Sequence, residues 1–198
     1  MKDLKVLGMT GGVGSGKSTV CQVMKSSFNA AIIYTDDVAK DLMKKGGVSY
    51  SLIVDHYGAK ILDPQGEINR EALAKIVFAN EKDRLLVNSF SHPYVKEAVL
   101  KSIKELKEEG KVSYIVVETA LPYEACLTEF CDEIIYVTAS DEVRRTRLKL
   151  SRGYSDEKIT HMLKSQLSED AFLKICTKVL DNSKDIADIK EQLKTILE

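Results

Sequence analysis

The chain has no tryptophan, only three prolines and three histidines in 198 residues, and four cysteines that never form a C-x-x-C pair. Cys21, Cys126, Cys131 and Cys176 therefore lack zinc-site spacing, and reduced, mostly buried thiols are the expected state. Long apolar runs are missing too. No stretch reaches the roughly twenty residues of a membrane span, and the opening MKDLKVLGMTGG carries no signal-like apolar segment. The expectation is a cytoplasmic protein with no membrane association. Neither sign of charge dominates: 29 Lys and Arg face 30 Asp and Glu, a formal net charge of −1. Such a chain has no global attraction for nucleic acid, so any phosphate recognition must be local.

What is present fits one soluble globular domain with an insertion, since hydrophobic residues make up 44% and charged residues 30% of the chain. Strand-like runs occur at 4–9 (LKVLGM), 30–34 (AAIIY), 113–118 (SYIVVE), 133–138 (EIIYVT) and 178–180 (KVL). Most are continuously apolar, as in a parallel sheet covered by helices on both faces. Helical patterns follow at 17–27, 37–45, from 141 onward and at about 185–197, the last with Ile186, Ile189, Leu193 and Ile196 on one stripe. The fold class is thus α/β, with a parallel five-stranded sheet.

Nearly eighty residues separate the second and third strands, too many for one crossover helix. VSYSLIVDHYG, NREALAKIVFAN and HPYVKEAVLKSIKELKEEG all read as helices, the last with Pro93 in its first turn and Gly110 as its stop. The expected division is a core of 1–46 and 111–198, a helical acceptor-binding insertion at 47–110 and a lid at about 144–170.

Residues 11–18 read GGVGSGKS, a match to G-x-x-x-x-G-K-[ST] between an apolar strand and an amphipathic run. Glycines let consecutive N–H groups turn toward phosphate oxygens. Gly12, Gly14, Ser15, Gly16, Lys17, Ser18 and Thr19 are the candidate triphosphate-binding residues, with Lys17 for the β/γ-phosphates and the Ser18 hydroxyl for Mg²⁺. Helix-dipole charge adds to the same site. A guanine-reading N-K-x-D is absent: the nearest string, NEKD at 80–83, misplaces the lysine. A small chain with this loop, an acceptor-sized insertion and an arginine-rich late segment fits an ATP- and Mg²⁺-dependent small-molecule kinase. A nucleoside or nucleotide kinase of the same fold, and a nucleotide-binding switch, remain as alternatives. Glu118, ending the third strand, stands where an acid supports the metal directly or through water.

The run AIIYTDDVAKDLM (31–43) poses a choice between helix-capping acids and a catalytic base. TGGVGSGKST (10–19), YTDDVAKDL (34–42), HYGAKILDPQGEINREALAKIVFAN (56–80), HPYV (92–95) and IVVETALPYE (115–124), in that order, resemble the dephospho-CoA kinases. That family phosphorylates the ribose 3′-hydroxyl of dephospho-CoA in the last step of coenzyme A synthesis. The resemblance implies a three-layer P-loop kinase fold with ATP, Mg²⁺ and dephospho-CoA as its small-molecule ligands and no obligate protein partner. It places Asp36 at the catalytic position, with Asp37 in the helix's first turn. It also puts Arg70 and His92 near the substrate, beside Asp36 and Glu118, and makes Arg147 the lid arginine acting with Lys17 in catalysis. Tyr34 stands where the family has a first acid, DNSKD (181–185) lacks the family's glycine, and Arg152 lies one residue beyond the usual second lid position.

Overall fold

The computed structural model describes residues 4–123 and 125–198. Glu124, the last residue of the IVVETALPYE segment, lies outside the described residues. Strands β1 (Lys5–Thr10), β2 (Ala30–Tyr34), β3 (Tyr114–Glu118), β4 (Glu133–Thr138) and β5 (Lys178–Asp181) form one sheet in the order β2-β3-β1-β4-β5. β1 pairs in parallel with β3 and β4, and β4 with β5, giving the expected five-stranded parallel sheet. Val6, Leu7 and Met9 of β1, Ile115 to Val117 of β3 and Ile134 to Val137 of β4 are all buried. Covered on both faces, these central strands need no polar alternation. Edge strand β5 buries only Leu180 in full. The register sets Met9 beside Glu118 and Thr10 beside Tyr136. The loop after β1 and the acid ending β3 therefore leave the sheet at one carboxyl edge, where such sheets bind ligands.

The helices are α1 (Lys17–Ser27), α2 (Thr35–Leu42), α3 (Val48–Tyr57), α4 (Arg70–Ala79), α5 (Glu81–Ser89), α6 (His92–Glu109), α7 (Asp141–Arg152), α8 (Asp156–Ser165), α9 (Glu169–Leu173) and α10 (Ile186–Leu197). The side chains of Ser140, Ser155, Ser168 and Asp185 cap α7 to α10, each accepting a first-turn N–H. α10 buries Ile189, Leu193, Ile196 and Leu197. Ile186, expected on that stripe, opens the helix and is 54% exposed.

Two compact units are present. One comprises the residues up to Ile33 together with Ile103–Glu198, and carries the sheet; the other is Tyr34–Ser102. The second unit thus begins before the expected boundary at 47, α2 packing with α3 within it, and ends at Ser102, inside α6. Its core is Ile53, Tyr57, Ile61 and Leu73, flanked by Met43, Ile76, Val87 and Phe90. Helix α5 was absent from the sequence reading. It buries no residue fully, and Asn80 both ends α4 and caps α5 by accepting Lys82 N–H at 2.9 Å.

Candidate active site

The loop from Gly11 to Gly16 passes from buried β1 into α1. Gly14 and Gly16 hold φ of 77° and 82°, a region closed to most side chains, and so turn the backbone into a concave run of N–H groups. Gly16 is the N-cap, so α1 begins at Lys17 with Ser18 and Thr19 exposed behind it. Carbonyls of the loop are tied from outside. Asn182 Nδ2 donates to Ser15 O at 2.8 Å and Gly16 O at 3.3 Å. Arg147 Nη1 donates to Ser15 O at 3.2 Å and its Nη2 to Asn182 O at 2.8 Å. With its carbonyls engaged this way, the loop presents donors to an anion.

Lys17 Nζ donates to Gly11 O at 2.7 Å and lies 3.8 Å from Glu118 Oε1, with side chains only 13% and 14% exposed. On the same helix, burial and then the Glu118 charge push the Cys21 thiol up to about 12. It stays protonated and donates to Met9 Sδ at 3.3 Å. The buried hydroxyls of Thr10, at the end of β1, and Ser15, in the loop, find no hydrogen-bond partner among the described residues. A groove of about 380 Å³ starts at Ser18 and Thr19 and continues along Gln22, Val23, Ser26, Ile186 and Lys190.

Of the residues singled out from sequence, the structure brings together Gly12 to Thr19, Glu118 and Arg147 in the sheet-bearing unit. Arg147 is found on the Ser15 and Asn182 carbonyls rather than extended from a free lid helix. Asp36, Arg70 and His92 belong to the other unit, each in the first turn of a helix: α2, α4 and α6. Tyr34 is the N-cap of α2 without a side-chain cap bond, so neither acid caps the helix. Asp37 pairs with Lys40 at 2.6 Å, and Asp36 is exposed. Sequence reasoning missed Asn182, 1% exposed and bound to the loop. Its one signal was a polar residue just past β5, at the carboxyl edge.

A parallel sheet whose first strand feeds a glycine cradle and a lysine-headed helix defines a P-loop kinase. The dephospho-CoA kinase family model matches residues 5–188. The chain belongs to the dephospho-CoA kinase family. A dephospho-CoA kinase of Carboxydothermus hydrogenoformans is 36% identical over 195 residues, covering 98% of this chain and 94% of the relative. A Thermus thermophilus crystal structure shares the fold at TM-score 0.82 and 24% identity, covering 99% of this chain and 97% of that one. The Campylobacter jejuni dephospho-CoA kinase does so at TM-score 0.69 and 22% identity, covering 97% and 94%.

Proposed function

We propose that the chain transfers the γ-phosphoryl group of ATP to the ribose 3′-hydroxyl of dephospho-CoA, releasing ADP and coenzyme A in the cytoplasm. The observation that carries this reading is the phosphate cradle, with Lys17 at its base, in a chain of this family. Asp36 accepts the proton of the 3′-hydroxyl as its oxygen attacks the γ-phosphorus and the bond to the β-phosphate oxygen breaks. Lys17 exchanges the Gly11 carbonyl and Glu118 for β/γ-phosphate oxygens. Its charge stabilises the transferring group.

Arg147 serves the same step by holding the Ser15 carbonyl and Asn182, which keeps the loop's N–H groups aimed inward. The groove beside α1 takes the nucleoside of ATP, with exposed Ile186 as an apolar shelf. The first-turn positions of Asp36, Arg70 and His92 support the reading, since helix N-termini suit an acceptor rich in phosphate. We assign acceptor binding to the helical unit, together with Glu118, and a lid function to the segment 144–170.

Among the described residues no cluster of three or more His, Cys, Asp or Glu forms a metal cage. That suits Mg²⁺, which keeps most of its waters and binds through phosphates and one or two protein oxygens. The exposed Ser18 hydroxyl and the Glu118 carboxylate fit that need. Bound there, the ion neutralises charge on the β- and γ-oxygens. The free cysteines, with Cys21 fully buried, agree with a reducing compartment.

A coupled ADP-release assay across acceptors tests the reading. Dephospho-CoA should drive ADP release well above adenosine, nucleoside monophosphates and shikimate-like alcohols. Preference for a nucleoside monophosphate, or ADP release indifferent to acceptor, would contradict it.

A further inference from the structure

Val13, at the apex of the phosphate loop, has both backbone polar groups taken by side chains from the segment after β4. Gln166 Oε1 accepts the Val13 N–H at 2.8 Å. Arg144 Nε donates to the Val13 carbonyl at 2.9 Å. These partners come from separate elements, since Arg144 lies within α7 and Gln166 is the C-cap of α8. Two side chains distant in sequence thus converge on one residue, one on each of its flanking peptide units, a placement that only tertiary structure can arrange.

Gly12 supplies an independent observation. Its φ lies outside the left-handed region, so backbone strain does not call for glycine there. Space does. A Cβ would sit 2.6 Å from Arg144 Nη2, 2.8 Å from Gln166 Oε1 and 3.0 Å from its Nε2. Arg144 Nη2 is itself buried without a hydrogen-bond partner among the described residues. A guanidinium placed this way is held for its loop contact rather than for a satisfied network of its own.

We propose that Arg144 and Gln166 form a two-sided clamp on the backbone of Val13 and act as positioning residues for triphosphate binding, an inference that rests on the ATP-dependent kinase reading above. With the N–H of the Gly12–Val13 unit and the carbonyl of the Val13–Gly14 unit both engaged, neither peptide plane flanking Val13 rotates freely. The remaining loop N–H groups then keep their aim before the nucleotide arrives, and the ordering cost of binding falls. Releasing either side loosens the same residue, whose two flanking peptide units share the Val13 Cα, so the two contacts are energetically coupled.

The test is calorimetric titration of ATP, ADP and adenosine into wild type, Gln166→Met, Arg144→Lys and the double variant. Thermal melts and KM for dephospho-CoA accompany each protein. Each single substitution should weaken ATP and ADP by roughly 5- to 30-fold. Adenosine affinity and KM for dephospho-CoA should stay within about twofold, and the double variant should lose little beyond the worse single one. Unchanged or tighter ATP binding in either folded single variant would overturn the clamp, as would equal losses for adenosine or losses that multiply in the double variant. If one single variant fails to fold, the other carries the test. Wild type that does not bind ATP would refute the kinase reading itself, whereas tight wild-type binding with indifferent variants would refute only the clamp.

Discussion

Among the partners of Lys17 are the Gly11 carbonyl at 2.7 Å and the Glu118 carboxylate at 3.8 Å. In the proposed reaction the amine exchanges both for phosphate oxygens. Lys17→Met should therefore cut kcat by about 10²- to 10³-fold, the loss typical of a missing transition-state donor, measured in steady-state turnover. Glu118→Gln should shift the Mg²⁺ dependence of turnover; an unchanged Mg²⁺ titration removes Glu118 from the metal site. The two neighbouring acids separate by function. Asp36→Asn should lose about 10²- to 10⁴-fold in kcat with an unaltered melting temperature. Asp37, exposed and paired with Lys40, complements the dipole of α2. Asp37→Asn should cost only a few tenths of a kcal/mol by chemical denaturation and leave kcat intact. Composition alone does not tell these acids apart; the resemblance to the family's segment does, and the structure adds the ion pair of Asp37 with Lys40. Tyr34, standing where the family has an acid, turns out to be the residue from which that helix starts.

At the scale of elements, the loop works because its neighbours tie down its carbonyls. Asn182→Ala should leave the Ser15 and Gly16 carbonyls without the Asn182 amide and raise KM for ATP about 10-fold, with a stability loss of about 1–3 kcal/mol. Ile53 is fully buried in the helical unit's core. Ile53→Ala should destabilise that unit by about 2–5 kcal/mol, read from denaturant melts.

The central strands were legible because burial on both faces makes them continuously apolar, and the glycine loop because its backbone geometry demands glycine. α5 was not legible: EKDRLLVNS is charged and packs only partly, so its periodicity is blurred. Gln166 was beyond reach, since it meets the loop across more than 150 residues of chain and carries no local pattern; DNSKD marked the segment of Asn182 but not its bond to the loop. Arg147 was expected as a lid arginine, and its bond to the Ser15 carbonyl, like that of Arg144 to the Val13 carbonyl, carries no local pattern.

Across the molecule, buried thiols tie stability to pH. Burial raises Cys21 and Cys131 from 9.0 to about 12 in the folded state. Between those values the unfolded chain has released protons that the native chain retains, so unfolding becomes easier as pH rises. Stability should be level below about pH 9, fall between about pH 9 and 12, and fall less steeply in Cys21→Ala. Calorimetric melts across that range check the sign.

The phosphate cradle lies in the sheet-bearing unit, and Asp36, Arg70 and His92 in the helical unit, to which acceptor binding is proposed. Phosphorus NMR of a reaction containing the protein, Mg²⁺, ATP and dephospho-CoA follows the transfer itself. The account predicts a new 3′-phosphomonoester resonance growing one-for-one with ADP. ADP accumulating with free phosphate and no phosphomonoester, or no ADP at all, would contradict it.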